Sequence, residues 1–232
     1  MNQNKFVEEL NLLGINVTKD KLDKLEKYYN LLIEYNKVMN LTGITDHDEV
    51  YLKHFYDSLT LARVIDLNNY KTLCDIGTGA GFPGIVLKIF YPNLKITLID
   101  SLNKRIIFLN KVIEELGLEG IIAIHSRIEE YGIKNRDLFD IVTARAVAPL
   151  NILLEYSIPI LKVNGLFLPM KANLENEKYD NALKKLNCTL EKTEQFLLPI
   201  ENSNRSILLI KKQNETNLKY PRRFNLIKTN PL

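Results

Sequence analysis

The spacing of apolar positions divides the chain into a helical first part and a longer region where short and long apolar runs alternate. In the first part, apolar residues recur at helical spacing from Phe6 to Leu13 and stop at Gly14, a typical helix-ending signal. Thr18 can then cap a longer amphipathic helix, and a third helical stretch follows over residues 51–67. These stretches predict helices that pack on a core supplied by the rest of the chain.

The region after residue 71 alternates short β-branched runs with longer amphipathic runs. The short runs predict strands at residues 72–76, 95–100, 121–125, 139–144, 165–170, 186–196 and 206–211. The longer runs predict helices at residues 84–90, 104–116, 149–161 and 175–185. Alternation of this kind is typical of a parallel sheet covered on both faces. We therefore expect an α/β fold, with a mostly parallel, doubly wound sheet of about seven strands and an N-terminal helical extension.

The same pattern divides the chain into three segments. They are a helical extension, a sheet domain and a basic C-terminal tail, at residues 1–67, 68–212 and 213–232. The net charge of the whole chain is only +3, yet residues 211–232 carry six Lys or Arg residues and a single acidic residue. Such a local excess fits either a solvated terminus or a segment that binds an anionic partner such as RNA.

Composition excludes several classes of protein. Hydrophobic residues make up 46% of the chain and charged residues 25%, which is typical of a globular protein. No apolar run approaches the roughly 18 residues of a membrane span, and the N-terminus has no apolar signal-peptide core. Cys74 and Cys188 stand too far apart in sequence for a disulfide framework or a Cys-x-x-Cys motif. We therefore expect a cytoplasmic protein.

The segment from Asp75 to Gly84 is the most informative part of the sequence, because it follows a buried strand and opens a helix. In a doubly wound sheet, ligands bind outside the carboxyl ends of the strands. The alternating Gly77, Gly79 and Gly81 would let the backbone approach a ligand closely. The N–H groups of the turn and of the helix could then hold an anionic group.

Two cofactors compete for this turn. Residues 79–84 match the dinucleotide fingerprint G-x-G-x-x-G, and the acidic Asp100 lies about 20 positions further on. Counted from the strand end at Ile76, however, the spacing is G-x-G-x-G, and Asp75 places a carboxylate beside the site of a pyrophosphate. Because that carboxylate suits a ligand with an ammonium and a sulfonium, the residues favour S-adenosylmethionine (SAM) over NAD.

The other chemistry-bearing residues limit the reaction. Cys74 lies inside the first strand, so a covalent cysteine is not expected, and residues 143–149 lack the Asn/Asp-Pro-Pro-aromatic turn typical of amine methylation. A ring nitrogen with an exposed lone pair, such as guanine N7, needs neither feature. No metal is expected, since the three histidines have no metal-ligand spacing. His54 shares one helix face with Asp57 and Ser58.

Several further motifs stand along the chain. They are Asn36-x-x-x-Asn40-Leu41-Thr42, His54-Phe55-x-Asp57-Ser58-Leu59, Leu98-Ile-Asp100-Ser101-Leu-x-Lys104-Arg105, Ser126-Arg127-Ile128-Glu129-Glu130 and Ala144-Arg145-Ala146. Together with the glycine turn, they resemble the bacterial small-subunit ribosomal RNA methyltransferases G, also called glucose-inhibited division protein B. The resemblance implies a Rossmann-like SAM-dependent methyltransferase fold. It also implies that SAM is the cofactor and that the product is N7-methylguanosine in 16S rRNA.

The resemblance also implies a set of cofactor-binding residues. They are Asp75, Gly77, Gly79, Gly81, Phe82, Asp100, Ser101, Ile128, Glu129 and Arg145. Asp100 and Ser101 would face the ribose, whereas Ile128 and Glu129 would flank the adenine. Arg145 is the catalytic candidate, because an arginine after the fourth strand opens onto the ligand crevice and can contact the SAM carboxylate or an RNA phosphate.

The implied partner is 16S rRNA or the small ribosomal subunit, with neither a membrane nor a metal, and a monomer is expected. The candidate RNA contacts are Lys171, Lys219, Arg222 and Arg223. The chain departs from the family pattern in having Ala172 where a glycine is frequent, and residues 224–227 replace a stretch rich in Gly and Pro. Two other functions stay open: SAM-dependent methylation of a small molecule or a protein, and a non-catalytic binding role.

Overall fold

A single seven-stranded sheet forms the centre of the computed structural model, which describes residues 1–175 and 177–232. The strands are β1 (Thr72–Ile76), β2 (Lys95–Asp100), β3 (Ile121–His125), β4 (Phe139–Arg145), β5 (Leu161–Lys171), β6 (Cys188–Leu197) and β7 (Asn204–Lys212). Their order is β3-β2-β1-β4-β5-β7-β6. Strands β1 to β5 pair in parallel, and β7 runs antiparallel to both β5 and β6. The predicted fold class, a mostly parallel doubly wound sheet, is confirmed.

Helices pack on both faces of this sheet. They are α1 (Gln3–Leu12), α2 (Lys19–Met39), α3 (His47–Val50), α4 (Asp57–Leu59), α5 (Gly84–Phe90), α6 (Asn103–Glu115), α7 (Ile128–Lys134), α8 (Leu150–Ser157), α9 (Asp180–Lys185) and α10 (Phe224–Thr229). A π-helical turn, Tyr51–Tyr56, joins α3 to α4. None of the helices in the described ranges is long and apolar enough to cross a bilayer.

Two helices differ from the predicted ones in their boundaries. The helix predicted at 149–161 ends earlier, because Pro159 lies in a short 3₁₀ turn and has no N–H to continue the α-helical ladder. Strand β5 begins directly after this turn, at Leu161. The helix predicted at 175–185 begins only at Asp180, and residue 176 lies outside the described residues.

The N-terminal helices share a hydrophobic core with one face of the sheet. Phe6 of α1 and Tyr28 of α2 are fully buried in the same cluster as Leu73 of β1 and Ile85 of α5. Successive strand residues point to opposite faces, and Cys74 accordingly belongs to a second cluster on the other face. The three-segment division of the chain stays a prediction, but its first two segments are packed as one body.

The basic C-terminal segment is folded onto the second face of the sheet. Tyr220 and Ile227 are buried in the second cluster, and Lys212, at the end of β7, is fully buried. The Lys212 ammonium donates hydrogen bonds to Asp137 (2.6 Å) and to the carbonyl of Leu161 (2.7 Å). One charge of the basic excess counted over residues 211–232 therefore has a partner within the protein.

Candidate functional site

The glycine turn, residues 77–84, connects β1 to α5 at the carboxyl end of the sheet. Gly77, Gly79 and Gly81 have φ angles of 64°, 62° and 101°, a region of backbone conformation that glycine enters without the steric cost of a Cβ. The path of the turn therefore requires the alternating glycines that the sequence singled out.

Asp75 lies near the end of β1 and braces the glycine turn. Its Oδ2 accepts hydrogen bonds from the Thr78 hydroxyl (2.6 Å) and the Gly84 amide (2.9 Å). Burial raises the pKa of Asp75 to about 7, although these two hydrogen bonds act in the opposite direction. Its Oδ1 has no hydrogen-bond partner within the described residues. One acceptor oxygen of this carboxyl group is therefore still unused.

Gly81 allows close packing of the turn against the N-terminal helices. A Cβ at Gly81 would lie 2.7 Å from both the Tyr28 hydroxyl oxygen and Ile85 Cδ1. The Tyr28 hydroxyl donates a hydrogen bond to the carbonyl of Ala80, so α2 supports the turn from behind. Sequence reasoning missed Tyr28, because it has the same pattern as any aromatic residue on the apolar face of a helix.

A cavity of about 360 Å³ opens beside the glycine turn, at the carboxyl ends of β1, β2 and β3. Its walls include Gly77, Asp100, Ser101, Ile128 and Glu129, five of the residues expected to bind the cofactor. We call it the first cavity. Ligands of doubly wound sheets bind at this position, so the structure brings the expected adenosine contacts together in one place.

Asp100 connects the glycine turn to the first cavity. Its Oδ2 accepts hydrogen bonds from the Gly79 amide (2.9 Å) and the Arg105 guanidinium (3.0 Å). Its Oδ1 accepts one from the Leu102 amide (2.9 Å). Because a carboxylate oxygen can accept two hydrogen bonds, Oδ1 keeps the capacity for one further donor, such as a ribose hydroxyl.

Glu129 lies in the first turn of α7, elsewhere in the wall of the first cavity. It is only 4% exposed, and its Oε1 has no hydrogen-bond partner within the described residues. Arg127 Nη1 is 3.8 Å from this oxygen, and burial raises the pKa of Glu129. A buried acceptor without a partner costs free energy that a ligand donor would recover. The amino group of an adenine is a donor of the required kind.

Arg145 ends β4 and is tied to the N-terminal helices. Its Nη1 donates to the Lys53 carbonyl (2.9 Å) and to Asp57 Oδ2 (3.0 Å), and its Nη2 lies 3.3 Å from His54 Nδ1. Its guanidinium carbon also lies 5.3 Å from the centroid of the Phe82 ring. Arg145 and Phe82 therefore stand beside the first cavity, outside its wall, in a cluster that sequence reasoning did not predict.

His54 is neutral in this cluster. Burial, and then the Arg145 guanidinium, lower the pKa of His54 to about 3. Nδ1 of His54 faces both the donating Arg145 guanidinium (3.3 Å) and the accepting Lys53 carbonyl (3.2 Å), and Nε2 lies 2.9 Å from the Thr42 hydroxyl oxygen. The Phe82 ring stacks on the imidazole with 4.4 Å between centroids. Ser58, which shares the helix face, instead donates its hydroxyl to the His54 carbonyl.

The Asn-Leu-Thr motif builds the loop that presents Thr42 to His54. Asn36 Oδ1 accepts hydrogen bonds from the amides of Leu41 (2.6 Å) and Thr42 (2.9 Å). Asn40 ends α2 in the left-handed conformation, with a φ of 51°. The motif is therefore a structural support for the cluster around Arg145.

A second cavity, of about 450 Å³, lies at the carboxyl ends of β4 and β5. Its walls include Lys53, His54, Asp57, Arg145 and Arg205. Arg205 of β7 donates through Nε to Asp57 Oδ1 (3.0 Å), so each oxygen of this buried carboxylate has an arginine partner. Sequence reasoning missed Arg205, because no local motif connects it to residues in the first third of the chain.

The short segment at the end of β4 separates the two cavities. Val147 and Ala148 belong to the wall of the first cavity, whereas Arg145 and Ala146 belong to the wall of the second. Val147 also packs on the glycine turn, because a Cβ at Gly77 would lie 2.6 Å from its Cγ2. A group that extends from one cavity to the other therefore passes this segment.

Two of the four expected RNA contacts have partners within the protein. Lys171 donates to the Ala148 carbonyl (2.9 Å) and pairs with Glu177. Arg222 makes a bidentate pair with the fully buried Glu155, at 2.8 Å through Nε and 2.6 Å through Nη2. Arg222 is paired because the tail folds back onto α8, where the Arg222 side chain is only 17% exposed.

The other two expected RNA contacts, Lys219 and Arg223, are exposed at the surface of the tail. The Lys219 ammonium lies 5.1 Å from the centroid of the neighbouring Tyr220 ring. Within residues 1–175 and 177–232, no group of three or more His, Cys, Asp or Glu residues is arranged to hold a metal ion.

Comparison with known proteins identifies the family of this chain. The model of the family described as GidB, rRNA small subunit methyltransferase G, matches residues 21–208. The ribosomal RNA small subunit methyltransferase G of Exiguobacterium sibiricum is 48% identical over 238 residues, covering 100% of both chains. The protein of the same name from Bacillus subtilis is 46% identical over 228 residues, covering 96% of this chain and 95% of that one.

Among solved structures, a SAM-dependent methyltransferase from Aquifex aeolicus has the same fold. The TM-score is 0.53 at 16% sequence identity, covering 72% of this chain and 94% of that one. The Rossmann-like methyltransferase fold and the family resemblance inferred from the motifs are both confirmed. The chain belongs to the family of ribosomal RNA small subunit methyltransferases G.

Proposed function

We propose that this protein binds SAM in the first cavity and transfers its methyl group to N7 of a guanosine in 16S rRNA. The observation that carries this proposal is the pair of cavities at the carboxyl edge of the sheet, separated by the segment at the end of β4. One cavity can hold the cofactor and the other a nucleobase. The family supplies the substrate class, the RNA of the small ribosomal subunit.

The residues of the first cavity fit SAM. Glu129 Oε1 can accept a hydrogen bond from the adenine amino group, and Asp100 Oδ1 can accept one from a ribose hydroxyl. Gly77 brings the backbone to the wall of the cavity without a side chain.

The proposed methyl transfer requires mainly that the chain align the methyl group of SAM with guanine N7. SAM, when bound, supplies an electrophilic methyl group on its sulfonium. Guanine N7 carries an exposed lone pair, so no residue has to remove a proton, and neutral His54 is not required as a base. Arg145 is held in one orientation beside both cavities, where its remaining N–H groups can orient a carboxylate or a phosphate.

The substrate guanosine has to leave its stack before it can enter the second cavity, because duplex RNA hides N7 in a deep, narrow groove. We propose that Lys219 and Arg223 hold nearby backbone phosphates, since both are exposed. Lys171 and Arg222 would first have to leave their carboxylate partners. We also propose that the protein is a monomer and acts in the cytoplasm, where its RNA substrate is found.

Nucleoside mass spectrometry tests the proposal. Small ribosomal subunits that lack N7-methylguanosine are incubated with the protein and methyl-labelled SAM, and their 16S rRNA is digested to nucleosides. We expect labelled N7-methylguanosine, and none with heat-inactivated protein. Label that appears only in a metabolite pool or in ribosomal proteins would favour the alternative methyltransferase reactions. Failure to bind SAM in calorimetry would favour a non-catalytic role.

A further inference from the structure

The C-terminal helix α10 reaches the first cavity. Phe224 and Lys228, both on α10, stand in the wall of this cavity together with Ile128 and Glu129. The Phe224 ring lies under the Arg127 guanidinium, with the guanidinium carbon 4.7 Å from the ring centroid. This contact places Phe224 beside the residues expected at the adenine.

Buried contacts anchor α10 in this position. Ile227, on the same helix, is fully buried in the second hydrophobic cluster. The Arg222 side chain just before the helix pairs with Glu155 of α8, which is itself fully buried. Helix α8 also carries Ile152 and Tyr156 into the wall of the first cavity. The tail and the cavity wall are therefore fixed to the same helix.

From this geometry we propose that Phe224 is a cofactor-binding residue whose ring forms an apolar wall for the adenosine part of SAM. The inference rests on the proposed SAM site. A partly buried aromatic ring in an apolar wall offers a surface on which a purine can pack, and its removal from water adds to affinity. Lys228 lies 6.0 Å from the same ring and leaves the rim of the site positively charged.

Neighbouring residues of the tail make it possible to distinguish cofactor binding by Phe224 from RNA binding. Arg223 is exposed, whereas Phe224 is partly buried and lines the cavity. Leu226 is 47% exposed and does not line the first cavity, although it belongs to the same helix. Substitutions at 224 and 226 therefore distinguish a wall of the cofactor site from a general contribution of α10.

Calorimetry with S-adenosylhomocysteine, the product form of the cofactor, measures the contribution of Phe224. We expect Phe224→Ala to weaken binding by about tenfold, equivalent to about 1.4 kcal/mol. Phe224→Tyr keeps the ring and should retain most of the affinity, and Leu226→Ala should bind like wild type. The affinity for SAM should fall by the same factor, because Phe224 faces the adenosine part that the two molecules share. Unchanged affinity in Phe224→Ala would overturn the proposal.

Limited trypsin digestion of the unmodified protein gives an independent test. Cleavage after Arg223 and Lys228 is followed by mass spectrometry, with and without saturating S-adenosylhomocysteine. We expect the ligand to slow both cleavages, because a molecule packed on Phe224 holds α10 in place. Equal cleavage rates with the ligand bound would contradict the inference alone. A wild-type protein that binds no S-adenosylhomocysteine would contradict the proposed function as well.

Discussion

Replacing Asp57 with alanine tests whether the two arginines of the second cavity depend on one buried carboxylate. Its side chain is 5% exposed and lies 3.0 Å from both Arg145 and Arg205, which are themselves mostly buried. Asp57→Ala leaves both guanidinium groups without a counter-charge. Breaking a buried ion pair costs about 3–5 kcal/mol, and each kcal/mol lowers the Tm of a chain of this size by about 2–4 °C. We therefore expect a Tm lower by about 10 °C.

Thermal melting and urea unfolding, followed by circular dichroism, measure this cost. The matched control is Asp23→Ala, because Asp23 pairs with Lys19 at 2.6 Å but both side chains are largely exposed. An exposed pair contributes about 0–1 kcal/mol. The double variant Asp57→Ala/Arg145→Ala should lose less free energy of unfolding than the two single variants lose in sum. The second change removes one of the guanidinium groups that Asp57→Ala leaves without a counter-charge. If Asp57→Ala lowers the free energy of unfolding no more than Asp23→Ala does, burial of the Asp57 ion pairs does not contribute to stability.

Four further outcomes test other parts of the structure. The ring of His54 has a pKa of about 3, so its NMR resonances should not titrate between about pH 8 and pH 5. The unfolded chain takes up that proton near pH 6.5, so wild type should lose stability faster than His54→Gln as the pH falls below that value. In chemical denaturation, Gly81→Ala should lower the free energy of unfolding more than Gly79→Ala does. A Cβ at Gly81 would lie 2.7 Å from neighbouring atoms, whereas a Cβ at Gly79 has no such neighbour within 4 Å. The double variant Lys219→Ala/Arg223→Ala should flatten the slope of log affinity for 16S rRNA against log salt by about 1.4, at about 0.7 per phosphate. An unchanged slope would exclude both as phosphate contacts.

The sheet could be predicted because each strand carries its own local signal. The strands predicted at residues 72–76, 95–100 and 121–125 coincide with β1, β2 and β3. Buried parallel strands are short apolar runs bounded by turns, so their ends are marked in the sequence. Since ligands bind beyond those ends, the location of the cofactor crevice followed from the same pattern.

Pairs of distant residues could not be predicted, because no local pattern encodes them. Glu155 stands in an apolar helical run, and only the folded tail shows that Arg222 covers it. Arg145 was expected beside the crevice, but its attachment to Asp57 depends on how the N-terminal helices pack. Phe224 was noted only as a departure from the family pattern, since nothing local indicates that the tail returns to the first cavity.

The pairing of Asp57 with Arg205 joins residues 148 positions apart and has a consequence for the synthesis of the protein. A nascent chain folds its early segments first, and the glycine turn and β1 to β4 leave the ribosome before β7 is made. Loop closure over so long a separation is slow compared with local folding. The second cavity therefore closes only when translation is nearly complete, so a ribosome has to finish this chain before the proposed RNA-modifying site exists.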